Sequence, residues 1–191
     1  MTPHAPVFPI FLRLAGRAVV LVGGGRVAAS KLEGLLRGGA QVTVVAPEIR
    51  SELERDGVTL LRREFEASDL DGAWFAVGAA TPAVNRRVAD AAEERRIFVN
   101  AVDDPASASA YAGGVFRRGN LTVAISTDGD APALAGLVRE GLEAIIPDEI
   151  EAWLELSRGQ TRLWRESALP MGERRPLLLA ALNRLYAERA R

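Results

Sequence analysis

The sequence contains no cysteine, and only one histidine and one lysine. Without thiols there can be no disulfide, no thiolate metal centre and no cysteine nucleophile. The single histidine, His4, sits in the N-terminal lead-in, so no imidazole competes for an acid–base role in the later motifs. Net charge is also scarce, −1 at neutral pH, which excludes an overall field that would draw the chain to nucleic acid or to a membrane. No apolar run is long enough to span a bilayer. Residues 1–10 lack the basic start and long apolar core of a signal peptide. The expectation is a cytoplasmic protein with neither nucleic acid nor membrane among its partners. The 191 residues are otherwise of ordinary globular composition, enough for one large domain or one and a half small ones.

The chain is organised around residues 18–47, AVVLVGGGRVAASKLEGLLRGGAQVTVVAP. An apolar run at 19–22 meets Gly23, Gly24 and Gly25. A helical pattern follows, with Val27, Leu32, Leu35 and Leu36 on one face, and Gly38 and Gly39 stop it. A second apolar run, 42–45, closes the unit. Strand, glycine turn, helix and strand in about thirty residues is the length of one mononucleotide-binding βαβ unit. The glycines and Arg26, Val27 and Ala28 fit G-x-G-x-x-G/A. The first glycine allows the tight turn, Gly25 lets a pyrophosphate approach the backbone, and Ala28 lets the helix pack on the strand. The free N–H groups and the dipole of the helix N-terminus favour the anion. With both strands and the helix in place, the pattern points to a bound dinucleotide.

Further along, residues 7–14 read as an irregular apolar lead-in against the first strand. Residues 48–56 read as a short amphipathic helix with Ile49 and Leu53 inward. Residues 58–65, 74–77 and 97–102 read as strands. Thr81 and Pro82 read as N-cap and first residue of a helix whose apolar face is Val84, Val88 and Ala91. Strands alternating with helices indicate a parallel, doubly wound sheet. After Pro105 the pattern changes. A strand pair at 115–126 precedes a helix from Pro132 with Leu134, Leu137, Val138, Leu142 and Ile145 as its buried face. The rest reads as helical, with a break near Gly159, a turn at 169–172 and a last helix through 177–186. The boundary falls near Ala112. The expected organisation is a Rossmann-type domain at 1–112, a small α+β domain at 113–147 and a helical C-terminal domain at 148–191.

Ligands bind such sheets at the carboxyl ends of the strands. Pro47 and Glu48 follow the second strand, where an acid normally meets the adenosine ribose. This favours NAD, while Arg50 keeps NADP open. Ala80 and Thr81 follow the fourth strand, where small side chains let the cofactor lie close. Asp103 follows the fifth: it either accepts a proton or positions a substrate, or it and Asp104 cap the turn before Pro105. Ser126 and Thr127 read first as turn or N-cap hydroxyls. Arg117, Arg118, Arg139, Arg174 and Arg175 could meet an anionic substrate, though taken singly each reads as a solvated surface charge.

The ordered set VLVGGGRVAASKLEGLLRGGAQVTVVAP, AVGAATPAVNRRV, IFVNAVDDP, LTVAISTDGDAPALAGLVREGLE and MGERR resembles the precorrin-2 dehydrogenase family, also the N-terminal module of siroheme synthase. The resemblance covers nearly the whole chain. It implies NAD-dependent oxidation of precorrin-2 to sirohydrochlorin in siroheme biosynthesis, and in some members ferrous iron insertion. It also implies an intertwined homodimer in which residues 113–147 form the dimerisation domain. Arg26 and Val27 match family positions at the pyrophosphate turn, Pro47 and Glu48 those near the adenosine, and Asp103 the essential aspartate. Thr127 falls where some members have a serine near the substrate, and Ser126, Arg117 and Arg118 are expected beside it. A separate enzyme would supply precorrin-2. The chain departs from the family after Asp-Asp-Pro, where Ser109, Ala110, Tyr111, Ala112 and Gly113 replace the usual Ser-Phe and Pro. No metal ligand set is expected. The competing readings are an NAD(H)-sensing regulatory module without catalysis, and a dehydrogenase acting on some other small substrate.

Overall fold

The computed structural model describes residues 7–189; His4 lies outside them. The chain divides into two compact units, Met1–Ala112 and Gly113–Arg191.

The first unit is built on five strands, β1 (Ala18–Val22), β2 (Gln41–Val45), β3 (Thr59–Leu61), β4 (Phe75–Gly78) and β5 (Phe98–Ala101). All pair in parallel, in the order β3-β2-β1-β4-β5. Chain order reverses at β1, so the crevice at the carboxyl ends of β1 and β4 is the topological switch point. Helices α1 (Arg26–Arg37) and α2 (Pro82–Glu94) cover opposite faces. The period-two side-chain alternation of β1 shows why. Val19 and Leu21 pack with Ala28, Leu32 and Leu35 of α1. Val20 and Val22 pack with Val88, Ala91 and Ala92 of α2. A strand buried on both faces has to be apolar throughout, and β1 is.

Helix α1 ends where the two glycines stand. Gly39 takes φ +73°, and the N–H groups of Gly39 and Ala40 donate to Leu36 and Leu35 at 2.9 and 3.1 Å, closing the last turn. Val27 is not on the buried face as its spacing suggests. It is 44% exposed, because it lies in the first turn, beyond the end of the strands that α1 covers. The expected helix at 48–56 shrinks to a single 3-10 turn, Ser51–Leu53. Ile49 and Leu53 are buried as the pattern requires. However, the bonds that form are of the tighter 3-10 type, Leu53 N–H to the Arg50 carbonyl and Glu54 N–H to that of Ser51, and the chain leaves the turn at Glu54, whose ψ of 86° is not helical. In the lead-in only Leu14 packs on the core, while Phe8 and Phe11 are exposed.

The second unit opens with an antiparallel hairpin, β6 (Gly114–Arg118) and β7 (Leu121–Ile125), turning at Gly119 with φ +54°. Helices α3 (Pro132–Ile145), α4 (Ile150–Glu166) and α5 (Met171–Arg189) follow. Helix α4 runs through Gly159 without the expected break; one glycine costs a helix interior about 1 kcal/mol, too little to stop a seventeen-residue helix. The turn before α5 comes earlier than expected, with Ala168 at φ 52°. The apolar face of α3 also differs. Only Ala135 is buried, against the hairpin, while Leu134, Leu137, Val138 and Ile145 stand exposed, Leu137 at 66% and Ile145 at 74%.

Candidate active site

Of the five loops that leave the carboxyl edge of the parallel sheet, those after β1, β2, β4 and β5 carry Gly23–Gly25, Pro47 and Glu48, Ala80 and Thr81, and Asp103. Backbone contacts join them. The Gly23 N–H donates to the Val45 carbonyl at 3.0 Å, and the Ala79 N–H to the Val22 carbonyl at 2.8 Å. Gly23 takes φ +134°, and a Cβ there would overlap the Ala79 carbonyl. A Cβ on Gly24 would overlap the Glu48 carbonyl. Both glycines are therefore demanded by the protein's own packing.

Gly25 is different. It is the N-cap of α1, with φ −92° and ψ −170°, a conformation any residue adopts. No atom lies within 4 Å of where its Cβ would be. No side chain caps α1 at this end, and its first turn carries no acidic residue. The orphan N–H groups thus open onto space kept clear by a glycine, an arrangement that fits an anion. Arg26 and Val27 are exposed beside it.

Pro47 and Glu48 are exposed at the rim. Arg50, which kept a 2′-phosphate open, donates to both carboxylate oxygens of Glu52, the shortest contact being 2.7 Å. That hydrogen bond holds the Glu52 carboxyl down to about 2. Ala80 and Thr81 are exposed, and Thr81 is the N-cap of α2 without using its hydroxyl to cap.

Asp103 stands alone. Its backbone takes φ 57°, a left-handed conformation uncommon outside glycine though tolerated by aspartate. The side chain is exposed, with no hydrogen bond or ion pair among the described residues. The following turn, Pro105–Ser107, has Asp104 as N-cap but no side-chain cap; backbone bonds close it. The segment that departs from the family pattern lies along β5. Ser109 Oγ accepts the Val99 N–H at 2.9 Å, and Asn100 Nδ2 donates to the Ala110 carbonyl at 3.0 Å.

In the second unit, Ser126 Oγ accepts the Asp128 N–H at 3.1 Å and Thr127 Oγ1 accepts the Ala131 N–H at 3.3 Å. Both hydroxyls order the turn before α3, and each keeps its proton to donate. Arg117 is exposed. Arg118 is engaged within its own unit, with the Glu143 carbonyl at 3.2 Å and Asp148 at 3.4 Å. Among the described residues no cluster of three or more His, Cys, Asp or Glu could hold a metal ion. Sequence reasoning missed Asn85, buried under the β4 and β5 loops. The signal was there: it lies three residues before Val88, on the apolar face of its helix.

Residues 10–114 match the family model described as NAD(P)-binding, and residues 118–145 match that of the sirohaem biosynthesis protein central domain. A siroheme synthase of Cronobacter sakazakii is 41% identical over 87% of this chain and 38% of its own length. One from Photorhabdus laumondii is 38% identical over 94% of this chain and 39% of its own length. The chain thus spans about two-fifths of the curated relatives it matches. A solved precorrin-2 dehydrogenase superposes with a TM-score of 0.71 at 27% identity, covering 91% of this chain and 88% of that one.

Proposed function

Because the chain belongs to the NAD(P)-binding family of precorrin-2 dehydrogenases and siroheme synthases, we propose that it oxidises precorrin-2 to sirohydrochlorin, with NAD as hydride acceptor, in the cytoplasm. The observation that carries the reading is Gly25. Neither backbone conformation nor packing there asks for glycine, and its bare backbone stands at an N-terminus of α1 that no side chain caps, which supports a ligand at that place.

The residues divide the work. Gly23 and Gly24 hold the turn in place between the loops after β2 and β4. Gly25, Arg26 and Val27 present backbone N–H groups to the pyrophosphate, and the α1 dipole adds to their attraction. Pro47 and Glu48 border the adenosine ribose, where the Glu48 carboxylate accepts from ribose hydroxyls and repels a 2′-phosphate. Ala80 and Thr81 line the nicotinamide end. When bound, NAD supplies the hydride acceptor. Asp103, unpaired at the neighbouring strand end, takes the proton that leaves the reduced macrocycle, or holds the ring in register. Its left-handed backbone fixes where the carboxylate starts from. Ser126 and Thr127, with hydroxyl protons to spare, and Arg117 meet the carboxylates of the tetrapyrrole. Arg118, already paired, contributes less.

The exposed face of α3 supports a homodimer. Leu134, Leu137, Val138 and Ile145 form an apolar stripe on one helix, and burying what remains exposed of each would contribute about 1–2 kcal/mol. A sensing module would need the glycine turn but not Asp103. The test is Asp103→Asn, which keeps the size and the tolerance for φ 57° but cannot take a proton. It should bind NADH normally and lose turnover. Normal turnover by that variant would remove Asp103 from the mechanism.

A further inference from the structure

Asn85 is the fourth residue of α2 and is 2% exposed, one of only two buried polar side chains among the described residues. Its surroundings have a specific form. Strands β4 and β5 are joined at their ends by the Val102 N–H donating to the Gly78 carbonyl at 2.8 Å. In a parallel ladder the next rung would run from the Ala80 N–H to the Val102 carbonyl. That rung is absent, and the Asn85 amide takes its place. Oδ1 accepts the Ala80 N–H at 3.1 Å, and Nδ2 donates to the Val102 carbonyl at 3.4 Å. A side-chain amide has the donor and acceptor of a peptide group, so it completes the ladder while holding the strands one amide further apart.

Gly78 makes this possible. A Cβ there would lie 2.9 Å from Asn85 Oδ1 and 3.2 Å from its Cγ. The side chain of an early helical residue leans toward the helix N-terminus, which aims Asn85 at the strand ends. Its backbone N–H also donates to the Thr81 carbonyl at 2.8 Å. One residue thus ties together the loop carrying Ala80 and Thr81 and the loop carrying Asp103.

We infer that Asn85 is a positioning residue for the oxidation: its amide wedges the carboxyl ends of β4 and β5 apart and fixes the Asp103 loop against the nicotinamide loop. The inference rests on the function proposed above. Asn85→Asp separates the two halves of the wedge. On the alkaline side, with the carboxyl ionised, it keeps an acceptor for Ala80 but loses the donor to Val102. The kcat for precorrin-2 oxidation should fall about 10–100-fold, since misplacement by about 1 Å is enough for that, while KM for NAD and the Kd for NADH change less than about threefold. A merely structural asparagine would instead lower the folded fraction and leave the kcat of the folded protein unchanged. Gly78→Ala is the second variant. It keeps every hydrogen-bonding group, displaces the amide, and should show the same split in weaker form; it decides the matter if Asn85→Asp does not fold. Wild-type kcat in Asn85→Asp, or in Gly78→Ala where Asn85→Asp does not fold, or a loss confined to KM for NAD, overturns the inference. Asp103→Asn run alongside separates the two failures. An inactive Asp103→Asn with an active Asn85→Asp sinks the wedge alone, whereas an active Asp103→Asn sinks the reading of Asp103 and the wedge with it.

Discussion

Replacing Gly24 and Gly25 with alanine, one at a time, should give opposite results from the same chemical change. At Gly24 the added methyl overlaps the Glu48 carbonyl and lies 3.0 Å from the Ile49 Cα, so backbone must move. The 3.0 Å bond from the Arg50 N–H to the Gly24 carbonyl goes with it. Overpacking of this kind costs about 1–3 kcal/mol, and the lost bond adds about 1 kcal/mol. The variant should unfold several degrees lower. At Gly25 the methyl meets no protein atom within 4 Å, and φ −92° suits alanine. Replacing glycine by alanine at an N-cap costs roughly 0.5–1 kcal/mol, offset by about 0.4–1 kcal/mol from a less flexible unfolded chain. The apo protein should therefore melt within about two degrees of wild type. Binding should suffer instead. Each charge-assisted bond to the pyrophosphate is worth roughly 1.5–3 kcal/mol, so losing one weakens NADH binding about 10–100-fold. Thermal unfolding without ligand, and NADH titration by fluorescence, read the two effects separately. If Gly25→Ala binds NADH like wild type, or loses as much stability as Gly24→Ala, the assignment of the α1 N-terminus to the pyrophosphate is wrong.

Leu137→Glu puts a charge on the exposed α3 stripe and should convert a dimer to a monomer by light scattering; a wild-type chain already monomeric at micromolar concentration would contradict the homodimer. Glu52→Ala removes the carboxylate that holds Arg50, so KM for NADP should fall several-fold with KM for NAD nearly unchanged, as steady-state kinetics with each cofactor will show. Asp69 is held below the usual carboxylate range, first by its hydrogen bond from Arg63, and it also accepts the Glu66 N–H at 2.9 Å. Because its folded value is depressed, that stability is present above the unfolded pKa near 4 and disappears as pH falls through the folded value. Asp69→Asn should therefore cost about 1–2 kcal/mol at pH 7, with the difference from wild type closing as denaturation is repeated below pH 4.

How much of this was legible in the sequence depended on where the cause of each feature lay. The β1–α1–β2 unit could be read because its causes are local: an apolar run, a glycine turn, a 3.6-residue period and two glycines at the stop. The roles within the glycine turn were only half legible. Gly24 is fixed by Glu48, which comes from the far side of α1 and β2 and makes no mark on the local pattern. The helix expected at 48–56 had the correct apolar spacing, but the chain turns away at Glu54, whose ψ of 86° leaves no mark on an apolar period. In α3 the periodicity identified an apolar face, but spacing cannot separate a face packed on the core from one left exposed, as Leu134, Leu137, Val138 and Ile145 are. Asp103 was placed by its position after β5. Its left-handed backbone and unpaired carboxylate were not legible, and neither was the partnership of Gly78 with Asn85, since each looks unremarkable without the other.

The most direct measurement is anaerobic incubation of this protein with precorrin-2 and NAD, following the macrocycle and the reduced nicotinamide by absorbance. The account predicts that sirohydrochlorin and NADH appear together in equal amounts, and that neither forms with Asp103→Asn although NADH still binds to it. NADH binding by the wild-type protein with no sirohydrochlorin formed would contradict it.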